Sequence, residues 1–114
     1  MAEDSLQLAK QIAEQLDNYK GDDIIILQIK EITLVADYFI LVTGTSTTHI
    51  KSLADNLVYE LKQQGMSPLH QEGMSEGNWI LIDYDSVIVH VFLEETREFY
   101  NLERLWGEAE EISW

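Results

Sequence analysis

The chain has 114 residues, 46% of them hydrophobic, which suits one domain with one core and excludes a disordered chain. It has no cysteine, so disulfides and thiolate metal sites are excluded, and no apolar run is long enough to span a bilayer. A formal net charge of −14 sets it against phosphate backbones, so little direct nucleic-acid contact is expected. The same charge keeps a protein soluble and steers it towards a basic partner.

The start, Met1-Ala2-Glu3-Asp4-Ser5, is acidic and resembles neither a secretory signal nor a transit peptide. With the missing cysteines, this points to a reducing, cytoplasmic setting. Leu6, Ala9, Ile12, Ala13 and Leu16 recur at helical spacing, which predicts a first helix over about residues 5 to 20. Asp4 or Ser5 is placed to cap it and Gly21 to end it. Ile24 to Ile29 is a β-branched run and predicts the first strand.

Ala36-Asp37-Tyr38-Phe39-Ile40-Leu41-Val42 then runs into Thr43-Gly44-Thr45-Ser46. Five consecutive apolar β-formers predict a strand buried on both faces, and therefore a sheet with helices on two sides. Ser46 suits the N-cap of a second helix from about Thr47 to Gln64. Its stripe of Ile50, Leu53, Ala54, Leu57, Val58 and Leu61 faces the core. A strand, a glycine turn and a helix start can hold an anion. This turn lacks the further glycine or the lysine of phosphate motifs, and it reads as a connector.

Pro68 confines any strand around Leu69 to Glu72 to a sheet edge. Gly73 to Asn78 is a loop. Trp79 to Asp83 and Val87 to Phe92 predict a hairpin turning at Tyr84-Asp85-Ser86. Glu94 to Tyr100 predicts a short helix, and Leu102 to Trp106 another helical piece. From about Gly107 the acidic tail is expected to fray. The sum is a single domain over residues 1–114, α/β, with a mixed sheet of about five strands.

His49, His70 and His90 show no metal-ligand spacing. His90, between Val89 and Val91, reads as a partnered or surface histidine. Asp83-Tyr84-Asp85 is the sharpest catalytic-looking feature. Two carboxylates flanking one residue can share a divalent metal, and with Gly44-Thr45-Ser46 as cradle they imitate a magnesium-dependent nucleotidyltransferase. Asp at a hairpin turn is equally explained by turn chemistry, and no cations stand nearby to neutralise a triphosphate. No cofactor and no catalysis are expected. Trp79 opens a strand after a glycine loop, where it serves as core or as interface.

Ala36-Asp37-Tyr38-Phe39, Thr43-Gly44-Thr45-Ser46, His49, Leu53-Ala54-Asp55, Glu72-Gly73, Trp79 to Tyr84, Val89-His90-Val91-Phe92, Arg97-Glu98-Phe99-Tyr100 and Leu102 to Trp106 form an ordered set. In order and spacing the set resembles the Iojap family, the ribosomal silencing factors (RsfS). The resemblance implies a sheet with helices on both faces, similar to the nucleotidyltransferase fold but without catalysis. It implies binding to the large ribosomal subunit through its fourteenth protein, which blocks joining of the small subunit and represses translation when nutrients are short. Organelle members act in ribosome assembly, and some members form homodimers. Where the family has Tyr-Gly-Asp before the last strand, this chain has Tyr84-Asp85-Ser86. Aromatic anchors beside carboxylates suit a basic partner, so Trp79, Asp83, Tyr84, Tyr100 and Glu103 are the expected docking residues.

Overall fold

Every residue of β2 (Tyr38–Gly44) is buried, because the strand has a neighbour along each edge and packing on each face. The computed structural model describes residues 2–114. Around β2, in chain order, lie α1 (Ala2–Asn18), β1 (Asp22–Gln28), α2 (Thr47–Gln63), β3 (His70–Glu72), β4 (Trp79–Asp83), β5 (Val87–Leu93), α3 (Glu94–Tyr100), α4 (Leu102–Leu105) and β6 (Glu110–Ile112). The strands form one mixed sheet in the order β3-β4-β5-β2-β1-β6. β2 and β5 are parallel, with Tyr38 opposite Val87 and Gly44 opposite Leu93. The remaining neighbours are antiparallel.

The α1 and α2 stripes pack on one sheet face. Ala9, Ile12, Ala13 and Leu16 of α1 and Ile50, Leu53, Leu57 and Leu61 of α2 meet Ile40, Val42, Ile80, Ile82, Val89 and Val91. The opposite face carries Leu27, Phe39, Leu41, Ile88 and Phe92, covered by Leu102 and Trp106 around α4. Two long helices thus cover one face and two short ones the other, so the second cover is thin. Part of β4 remains half-exposed there.

Two differences from the sequence reading have local causes. The helix α1 begins at Ala2, and Ser5 lies inside it and is buried, so neither Asp4 nor Ser5 is its cap. The tail expected to fray contributes a sixth strand: Ile112 stands opposite Ile26, and Trp114 Nε1 donates to the Ile24 carbonyl at 3.4 Å. Only Ile112 of that strand packs on the helix-side core, so backbone pairing rather than a hydrophobic pattern holds it. Pro68 does leave β3 at the edge, and its three residues are all exposed.

Candidate functional site

Side chains alternate across a strand, so β4 sorts its residues onto two faces. Trp79, Leu81 and Asp83 point to the thinly covered side, and Ile80, Ile82 and the following Tyr84 to the helix side. Trp79 is half-buried. Its Nε1 donates to Nδ1 of His90 at 3.1 Å, and its ring lies 4.8 Å from that of Tyr100 and 5.8 Å from that of Phe92. Tyr100 is 54% exposed at the end of α3, beside Phe99 at 80%. A cleft of about 370 Å³ opens beside the indole, lined by Glu72, Gly73, Glu76, Asn78, Trp79 and Leu81. Gly73 has φ +86°, and a Cβ there would collide with the Trp79 carbonyl oxygen, so the loop passes the strand only as glycine. The result is an apolar patch rimmed by carboxylates.

Of the expected docking residues, the structure brings Trp79 and Tyr100 into contact and puts Asp83 two residues beyond Leu81 on the same side. Two others have different work. Tyr84 is 6% exposed in the helix-side core, and burial pushes its phenol up to about 12. Its place one residue after Asp83 turns it to the opposite face, so it is no surface anchor. Glu103 is engaged within the molecule: its two carboxylate oxygens accept from Nε and Nη2 of Arg97 at 3.2 and 3.3 Å. Nη1 of the same guanidinium donates to Thr43 Oγ1 and to the Asp23 carbonyl, both at 2.8 Å. Arg97 itself is 8% exposed.

The nucleotidyltransferase constellation is not assembled. Gly44 stands level with Leu93 and Asp83 level with Ile88, so glycine turn and carboxylates lie at opposite ends of β5. At ~3.3 Å per residue this is roughly 17 Å along the strand. Asp83 Oδ1 accepts from the Asp85 N–H at 2.7 Å, and Asp85 has φ +74°, which is turn geometry. Around Gly44, two backbone N–H groups that an anion would need already have acceptors within the turn. Thr45 N–H donates to His49 Nδ1 at 2.9 Å, Ser46 Oγ caps α2 by accepting from His49 N–H at 3.0 Å, and His49 Nε2 donates to the Tyr19 carbonyl at 3.2 Å. No cluster of three His, Cys, Asp or Glu side chains converges to hold a metal among the described residues.

Leu81, the carboxylates Glu72 and Glu76, and His90 belong to the candidate site but were not among the expected docking residues. Alternation from Trp79 points to Leu81. The place of His90 needs the cross-strand register, in which it pairs with Leu81. His90 is 5% exposed, and burial lowers its imidazole from the ordinary 6.5 to about 4. The unfolded chain therefore takes the proton first. The stabilisation from keeping His90 neutral is whole above about pH 6.5 and is lost as pH falls through about 4. Urea midpoints between pH 7 and 4 should decline more steeply in wild type than in His90→Phe. Parallel declines would show that His90 adds nothing to the slope.

The sequence profile of the family described as "Ribosomal silencing factor during starvation" matches residues 2–114. The chain belongs to this family, RsfS. A Bacillus subtilis protein named Ribosomal silencing factor RsfS is 36% identical over 102 residues, covering 90% of this chain and 86% of its own. A protein of the same name from Halalkalibacterium halodurans is 38% identical over 104 residues, covering 91% and 86%. A crystal structure of a Chromobacterium violaceum protein superposes with a TM-score of 0.84 at 36% identity, covering 95% of this chain and 90% of the other. The RsfS fold is thus the mixed sheet described above, and the Trp79 patch lies on its thinly covered face.

Proposed function

We propose that the protein represses translation by docking on the large ribosomal subunit, at its fourteenth protein, and so blocks joining of the small subunit. The observation that carries the reading is the Trp79–Tyr100 patch, with Glu72 and Glu76 lining the cleft beside the indole and Asp83 at the far end of the same strand. A half-exposed indole packed at a tilt against a tyrosine ring gives a large, rigid apolar anchor. The carboxylates around it and the net charge of −14 favour a basic protein and disfavour bare RNA. Membership of a family of silencing factors supplies the ribosome as the place where such a partner is met. The action is stoichiometric and cytoplasmic, without catalysis or cofactor. A homodimer through the same apolar face would compete with docking.

Binding to isolated large subunits, measured at two salt concentrations beside melting curves, tests the reading. Trp79→Ala is expected to weaken binding by about 2 kcal/mol or more, roughly thirtyfold, through faster dissociation. Tyr100→Ala should act in the same direction, because it removes the wall on which the indole leans. Asp83→Ala should slow association, and chiefly at low salt. The proposal is wrong if both aromatic variants fold and bind like wild type.

A further inference from the structure

His90 sits in the middle of β5 with Leu41 alongside on β2 and Leu81 on β4. Phe39 meets its ring edge-on at 4.8 Å, and Phe92 lies at 6.4 Å. An indole N–H can only donate, so the bond from Trp79 makes Nδ1 the bare acceptor and leaves the ring proton on Nε2. That Nε2 is buried and finds no hydrogen-bond partner among the described residues. A buried donor left unpaired destabilises a fold by about as much as, or more than, a made bond contributes. A phenyl ring would fill the same place among Phe39, Phe92, Leu41 and Leu81 without that penalty. Core packing alone therefore gives no reason for an imidazole here. What it does that a phenyl ring cannot is accept the Trp79 N–H.

We infer, on the reading of Trp79 as the docking anchor, that His90 is a positioning residue that holds the indole in its docking orientation before the partner arrives. Trp79 stands at the margin of the sheet's thin cover, where an indole free to rotate would lose side-chain entropy on binding. Two contacts remove that freedom: the hydrogen bond into His90 fixes the indole edge, and Tyr100 at 4.8 Å fixes its face. Ordering a side chain in advance improves affinity by cutting the ordering cost of association. The buried, unpaired Nε2–H is then a stability penalty carried for the sake of the surface.

The test compares dissociation of purified variants from isolated large ribosomal subunits with their melting curves and with the Trp79 indole N–H resonance. His90→Phe is expected to fold and to dissociate about three- to tenfold faster. Its indole N–H resonance should move to a position typical of a free indole. His90→Asn, whose Oδ1 can take the place of Nδ1, should restore both the resonance and the slow dissociation, a rescue that simple packing would not produce. Replacing the Trp79 indole with benzothiophene removes the same bond from the other side without touching the core. It should dissociate faster as well, which keeps the test open if His90→Phe does not fold. A folded His90→Phe or benzothiophene protein that dissociates at the wild-type rate, while Trp79→Ala does not bind, overturns the role of His90 and leaves the docking reading standing. If Trp79→Ala also binds like wild type, both are overturned.

Discussion

Leu57→Ala is expected to lower the unfolding free energy by roughly 2–5 kcal/mol. Leu57 is 0% exposed and lies in the α2 stripe between Leu53 and Leu61, all three in the core against β2, β4 and β5. Shortening it removes the transfer energy of its buried carbons and leaves a cavity. The floor of that cavity is made of the strands β2 and β5, paired along seven residues, which cannot collapse inwards to fill it. Val58, next in sequence and only partly buried, offers the contrast, and Val58→Ala should cost well under half as much. Urea denaturation with an unchanged slope and a lowered midpoint is the expected result. An unchanged midpoint would sink the packing assignment. Because α2 covers the face opposite Trp79, the folded Leu57→Ala protein should bind large subunits like wild type.

What could be read ahead of the structure follows from how local each signal is. The run Tyr38 to Val42 is buried on both sides, so its apolar continuity alone marks the centre of the sheet. The α2 stripe is equally self-contained. The short strand β6 has a single packed apolar residue, and its pairing with β1 is fixed by residues more than 80 positions away in the chain. Tyr84 misleads because it stands between two aspartates and looks like part of a polar turn. Its direction is set by the alternation that β4 inherits from pairing with β5, and that puts it under the helices. Arg97 misleads in the opposite sense. Within Glu94-Glu95-Thr96-Arg97-Glu98 it reads as one charge of a solvated helix face. The end of β5 aims α3 so that this arginine covers Thr43 and the Phe92 ring, at 5.7 Å. Glu103 then reads as a free rim carboxylate only while its partner is unknown.

Glu103→Ala is therefore expected to act first on stability, by about 3 kcal/mol, and only through it on docking. The variant leaves the Arg97 guanidinium, 8% exposed, with two bonds to neutral oxygens and no carboxylate within ion-pair distance among the described residues. Breaking a buried pair from one side costs about 3–5 kcal/mol, and the lower end applies because the Glu103 side chain is 40% exposed and water can follow it in. The pair also spans the joint between α3 and α4, where Asn101 takes φ +46° and its side chain caps α4 by accepting from Arg104 N–H at 3.3 Å. Tyr100 stands at that joint against Trp79, so loosening the clamp loosens the wall of the patch. Weakened binding should then appear equally at low and high salt, unlike the salt-dependent loss expected for Asp83→Ala. Replacing both partners with apolar residues, Arg97→Met with Glu103→Leu, should be less destabilising than Glu103→Ala alone, because no charge is left buried. Thermal unfolding of the two variants, beside subunit binding at two salt concentrations, decides the matter. If Glu103→Ala melts like wild type and loses binding only at low salt, the pair is an ordinary surface contact and Glu103 returns to the docking rim.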